Sequence, residues 1–87
     1  MEVSYAASFI RTLEELPELL QEEIIEKITL FQDIKNHKQL KVHKLRGRLR
    51  DRFSFSVNYS TRIIFRYLET SPKEAVLLMV GDHDIYN

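Results

Sequence analysis

The chain has no cysteine, so disulfides and thiolate metal sites are excluded, and the absence fits a cytoplasmic protein. Glycine is nearly as scarce. With only Gly47 and Gly81, there is no glycine loop to cradle phosphates and no strained nucleophile elbow. Long apolar runs are missing too: the longest, Ala75 to Val80, is far too short to span a bilayer. No basic segment followed by an apolar one opens the chain, so no secretion signal is expected. Neither an internal repeat nor a low-complexity tract is present. What remains is 87 residues, 44% hydrophobic and 30% charged, enough for one modest core burying about 60–65% of the unfolded surface. These bounds predict a single domain spanning 1–87 with no membrane partner.

Periodicity supplies the elements. Glu2 to Ala7 alternates, with Val3, Tyr5 and Ala7 on one side, as a short strand does. Ser8 then offers a helix N-cap, and Phe9, Ile10 and Leu13 give a short helix its apolar side. Pro17 ends that helix near Glu15 and starts a second one. Leu20, Ile24, Ile28 or Phe31, and Ile34 recur at spacings of three and four, a stripe for core packing, and Asn36 is the expected terminator. Phe53, Phe55, Val57 and Tyr59 alternate with Ser54, Ser56 and Asn58, which predicts a strand with one buried face. A turn at Tyr59 to Thr61 leads into a second strand that buries Ile63, Phe65 and Tyr67 and turns Arg62, Ile64 and Arg66 the other way. Ser71-Pro72-Lys73 reads as a turn, and Ala75 to Val80 as an interior strand whose outer face is covered or partly shielded. The expected architecture is α+β: two antiparallel helices on one face of a mostly antiparallel four-stranded sheet, in the order β-α-α-β-β-β. Its other face would be open and carry Ser54, Ser56, Asn58, Arg62 and Arg66.

The zero net charge hides a segregation. Lys35 to Arg66 holds ten Lys or Arg against a single acid, Asp51, a net of +9, whereas residues 1–34 carry −6 and residues 67–87 carry −3. The densest part is KVHKLRGRLRDR, from Lys41 to Arg52. Such asymmetry fits a nucleic acid or an acidic protein on one side of the molecule, and equally a solvated basic loop.

Few groups are placed for chemistry. His37, His43 and His83 do not share metal-ligand spacing, and adjacent residues in Asp82-His83-Asp84 cannot all aim at one ion, so no metal is expected. A set of bases and aromatics remains: Arg62 on a strand, His43 at the head of the basic stretch, and His83 with Tyr86 near the C-terminus. An arginine stabilises charge developing on a phosphate, a histidine shuttles protons near neutral pH, and a tyrosine donates a proton or stacks on a base. Each also has a structural reading: an ion pair for Arg62, a surface position for His43, closure of the core edge for Tyr86.

The element order, KVHKLRGRL, the strand pair FSFSVNYSTRIIF with Arg62 near the head of its second strand, and the closing VGDHDIY together resemble the RelE/ParE superfamily of bacterial toxins from type II toxin-antitoxin systems. The likeness covers essentially the whole chain; its most specific parts are Ser-x-x-x-Asn-x-x-x-Arg-Ile-Ile-Phe and Gly-x-His-x-x-Tyr. It implies a toxin neutralised by a cognate antitoxin, meeting operator DNA only through the toxin-antitoxin complex. In the RelE, YoeB and YafQ branches the toxin enters the ribosome and cuts mRNA without metal or cofactor, the ribose 2′-hydroxyl attacking the adjacent phosphate. By position, Arg62 matches the arginine that steadies the phosphate, His83 and Tyr86 the C-terminal catalytic pattern, and His43 a histidine of the YafQ-like branch. Lys41, Lys44, Arg46, Arg48, Arg50, Arg52 and Arg66 would grip RNA. Two departures stand out: Ser54, Ser56 and Asn58 occupy positions that are commonly basic in the nucleases, and Met79 sits where one branch places an arginine. Two other readings therefore stay open, a ParE-like inhibitor of DNA gyrase without nuclease chemistry and an inactive module that only binds its antitoxin.

Overall fold

Alternation in the sequence becomes a five-stranded mixed sheet in the computed structural model, which describes residues 1–70, 72–82 and 85. The order along the chain is β1 (Glu2–Tyr5), α1 (Ala7–Glu14), α2 (Glu18–Phe31), β2 (His43–Lys44), β3 (Phe53–Ser56), β4 (Arg62–Leu68) and β5 (Glu74–Gly81). Across the sheet the strands run β1-β5-β4-β3-β2, with β1 parallel to β5 and every other pair antiparallel. The fifth strand corrects the expected count of four. It is the two-residue β2, which carries no apolar alternation of its own and exists because His43 and Lys44 pair with Ser54 and Phe53.

One core joins the layers. Phe9 of α1 and Ile24, Ile28 and Phe31 of α2 cluster with Phe55, Ile63, Phe65, Ala75, Leu77 and Val80 of the sheet. Phe31 is its hub, stacked on Phe55 at 4.3 Å, edge-on to Phe65 at 4.8 Å, and covered by the His37 ring at 4.7 Å. Beyond α2 the chain folds back, so its last carbonyls are met by side chains: Asn36 Nδ2 donates to Leu30 at 2.9 Å and His37 Nε2 to Phe31 at 2.7 Å. Asn36 thus serves the helix end as expected, although α2 stops at Phe31. Ile34 lies past that end in a 3-10 turn and is 66% exposed, which corrects its place in the buried stripe.

Ser8 has a different task from the one its position suggests. Helix α1 begins after Ala6, without a side-chain cap, and Ser8 Oγ donates to the Leu78 carbonyl at 2.6 Å. The reason is a bulge. Ile64 pairs with Met79 but Phe65 pairs with Leu77, leaving Leu78 as the extra residue of β5, and α1 supplies the partner for its carbonyl. Thr12 Oγ1 likewise accepts from Val80 N at 3.3 Å. Among the described residues no helix is long and apolar enough to cross a membrane.

Candidate functional site

The sheet face opposite the Phe55 side carries Ser54 and Ser56 on β3, Arg62, Ile64 and Arg66 on β4, Met79 and Gly81 on β5, and His43 on β2. It is not bare throughout. Ser54 is 0% exposed and Ile64 1%, so the middle of this face is sealed, contrary to the expected open row of polar residues. Asn58 departs further: β3 ends at Ser56, and Asn58 lies in the connecting turn with Tyr59, which is 95% exposed instead of buried.

That turn shapes the position of Arg62. Asn58 Oδ1 accepts from the backbone N–H of Ser60 at 3.0 Å and of Thr61 at 2.9 Å, closing the loop, while its Nδ2 donates to Glu23 Oε1 on α2 at 2.7 Å. Arg62 follows at the head of β4. Its Nη1 donates to the Asn58 carbonyl at 2.6 Å and to the Thr61 carbonyl at 3.1 Å. Among the described residues no carboxylate pairs with it. Neutral carbonyls therefore hold one nitrogen of the fork, no described carboxylate compensates its charge, and the fork has further N–H donors with which to bind an anion such as a phosphate.

His43 shares the face. It stands opposite Ser54, one outward-facing position along from the row Ser56, Arg62, Gly81, so strand spacing and rise place its Cα about 12 Å from that of Arg62. Its Nδ1 lies 2.8 Å from the Lys41 carbonyl. A carbonyl only accepts, so Nδ1 carries the proton, and in the neutral ring Nε2 is the exposed lone pair, the form a general base needs. The Lys41 backbone takes a left-handed conformation, φ 60°, that turns its carbonyl toward the ring.

The basic stretch reaches the face from its far end. Residues 45–52 form the hairpin loop between β2 and β3, closed by Leu45 N to Arg52 O at 2.9 Å, with Gly47 at φ 69° opening a 3-10 turn, Gly47–Leu49. It leaves the sheet beside Phe53, about 10 Å along β3 from the level of Arg62. Arg46, Arg48 and Arg50 are exposed there, and Arg66, one residue past the Phe53–Phe65 pair, lies level with Arg52. Lys44, in register with Phe53, starts from the opposite side of the sheet. The loop cations and Arg66 thus gather at one end, Arg62 stands at the other, and His43 lies between.

His83 and Tyr86 lie outside the described residues, as do Ser71 and Asp84 of the expected turn and tail. Ile85 is described, and its side chain packs over Gly81, the register partner of Arg62; a β-carbon at Gly81 would sit 2.5 Å from Ile85 Cγ2. Ile85 therefore lies at the Arg62 end of the sheet. Met79, across from Ile64 on the same face, brings no charge. Among the described residues no group of three or more His, Asp or Glu is placed to hold a metal ion. A shallow depression of about 510 Å³ runs along α1, lined by Ala7, Ile10, Arg11, Glu14 and Glu15, away from these cations.

Asn58 and Glu23 are the site residues that sequence reasoning missed. Alternation places Asn58 on the outward side of a strand and the three-and-four spacing leaves Glu23 off the apolar stripe of α2, and no local signal joins residues 35 apart; only the fold brings them to 2.7 Å.

The fold is similar to that of solved RelE, YoeB/ParE and YafQ structures. Similar solved structures are the toxin-antitoxin complex RelBE from Mycobacterium tuberculosis (TM-score 0.71, 20% identity, 94% of this chain and 96% of that one) and YafQ from Escherichia coli (0.73, 13%, 98% and 96%). The archaeal RelE-RelB complex from Pyrococcus horikoshii is a third (0.70, 17%, 93% and 92%). No protein-family model and no curated protein matches the sequence.

Proposed function

We propose that this chain is the toxin of a type II toxin-antitoxin system and acts in the cytoplasm as a metal-independent mRNA endonuclease on the ribosome. On this reading residues 1–87 form the toxin domain. The observation that carries it is Arg62, a guanidinium clamped by carbonyls and paired with no carboxylate among the described residues, on the same sheet face as His43, in a fold similar to that of RelE and YafQ. A phosphate lying over the half-buried Ser56, at the Arg62 level of the face, would be within reach of both side chains. His43 Nε2 takes the 2′-hydroxyl proton, the 2′-oxygen bonds to phosphorus, the bond to the 5′-oxygen breaks, and Arg62 stabilises the charge on the phosphoryl oxygens. By resemblance, His83 or Tyr86 returns a proton to the leaving oxygen. Arg46, Arg48, Arg50, Arg52 and Arg66 hold the strand further along, with Lys41 and Lys44 at the rim. Two of the similar structures are complexes with antitoxins, which supports a cognate antitoxin as partner here, with operator DNA met through that complex.

The test is induction without antitoxin, wild type beside Arg62→Ala, with mRNA ends mapped. Growth arrest with cuts inside codons for the wild type, and neither for the variant, is expected; equal toxicity of the two removes Arg62 from the mechanism. The gyrase reading is favoured by one observation, that Ser54 and Ser56 give β3 no charge on this face. Double-strand DNA breaks with intact message would select it.

A further inference from the structure

We infer that Asn58 and Glu23 are positioning residues for Arg62, forming a tether that runs from helix α2 through the β3–β4 turn to the guanidinium. The inference rests on the nuclease reading for its activity arm only. Asn58 uses all of its polar groups: Oδ1 closes the turn on Ser60 and Thr61, Nδ2 holds Glu23 Oε1 at 2.7 Å, and the carbonyl takes Arg62 Nη1 at 2.6 Å. Moving the turn therefore moves the acceptor that aims the arginine. The turn is hydrogen-bonded within itself and would form without Glu23, so the bond to α2 sets where the turn sits relative to the core instead of whether it exists. Ile24, next to Glu23, is fully buried, which makes α2 a fixed anchor. A charged acceptor strengthens this bond over a neutral one. An arginine tethered to a packed helix through one intermediate is preorganised, which is the condition for stabilising charge that appears only as the phosphate reacts.

The chemistry of the pair gives a test by exchange of roles. Asn58→Asp keeps the oxygen that closes the turn but sets a second carboxylate against Glu23, so the tether is lost. Glu23→Gln keeps an acceptor for Asn58. Combined, Glu23→Gln and Asn58→Asp reverse donor and acceptor and rebuild the bond. Purified proteins are assayed on programmed ribosomes, and the guanidinium 15N–1H signals of Arg62 are followed by NMR. Asn58→Asp should lower the maximal cleavage rate by as much as about 100-fold with KM held and release rotation of the Arg62 guanidinium, while Glu23→Gln stays near wild type. The double variant should recover both rate and signal. Glu23→Ala, which leaves the turn untouched, should match Asn58→Asp and serves if that variant does not fold. An Arg62 signal identical to wild type in Glu23→Ala, or a folded double variant that recovers neither readout, overturns the tether. A wild type that cuts no RNA, with the Arg62 signal still responding as described, would sink the nuclease reading and leave the tether standing.

Discussion

Arg62 shows how little of a side chain's role lies in its identity. Two carbonyls on one terminal nitrogen leave the planar fork with a second edge to present, and a lysine ammonium cannot divide itself that way. Arg62→Lys should therefore arrest growth no better than Arg62→Ala although charge is conserved; a toxic lysine variant would mean that charge alone suffices. Gly81 is the second telling residue. Its missing β-carbon lets Ile85 lie over the strand beside Arg62, and Gly81→Ala puts a methyl 2.5 Å from Ile85 Cγ2, a branch carbon close to its own backbone that cannot swing aside. Ile85 should be displaced while the core, which is built from other residues, melts within a few degrees of wild type. Loss of growth arrest with that melting temperature kept is the expected outcome; full toxicity would separate the C-terminal segment from the function.

At the scale of elements, α2 is held by what it buries. Phe31 is fully buried among Phe55, Phe65 and His37, so Phe31→Ala should cost about 3–5 kcal/mol, whereas Ile34→Ala past the helix end should stay within about 0.5 kcal/mol. Denaturant midpoints of the two variants measure the contrast, and similar midpoints would refute the assignment of α2's end. The periodicity of α2 was readable because three-and-four spacing is local, but its end was not, since Asn36 and His37 cap it from a reversing chain. Strand β4 carries a pH prediction. Burial pushes the Tyr67 hydroxyl above its ordinary value of 10.0, so the fold prefers the protonated ring. This contribution to stability is complete below pH about 10, the unfolded value, and is lost as pH rises through the folded one. Lys73 sits 4.2 Å over the same ring, so the comparison belongs in a Lys73→Arg background, where the cation over the ring is kept: there Tyr67→Phe should lose less stability between pH 9 and 11 than its parent. Identical pH profiles would show that the hydroxyl takes no part.

For the whole molecule, the segregated charge sets the response to salt. Affinity for single-stranded RNA should fall with rising salt on a log-log slope of about −0.7 for each phosphate neutralised, so replacing Arg46, Arg48 and Arg50 by serine should make the slope shallower by about 2. An unchanged slope in titrations of a short RNA would mark the loop as solvated surface, the plain reading of a basic run. The sequence by itself determined the helices, the two long strands, the α+β class and the cationic middle third, because periodicity and charge are properties of neighbours along the chain. Only the tertiary structure decided that β2 pairs at the edge, that Ser54 is sealed, that the basic loop and Arg62 occupy opposite ends of one face, and that Asn58 ties Arg62 to α2. Those outcomes depend on register and on contacts between distant segments, where a single bulge or capped helix end changes which groups meet.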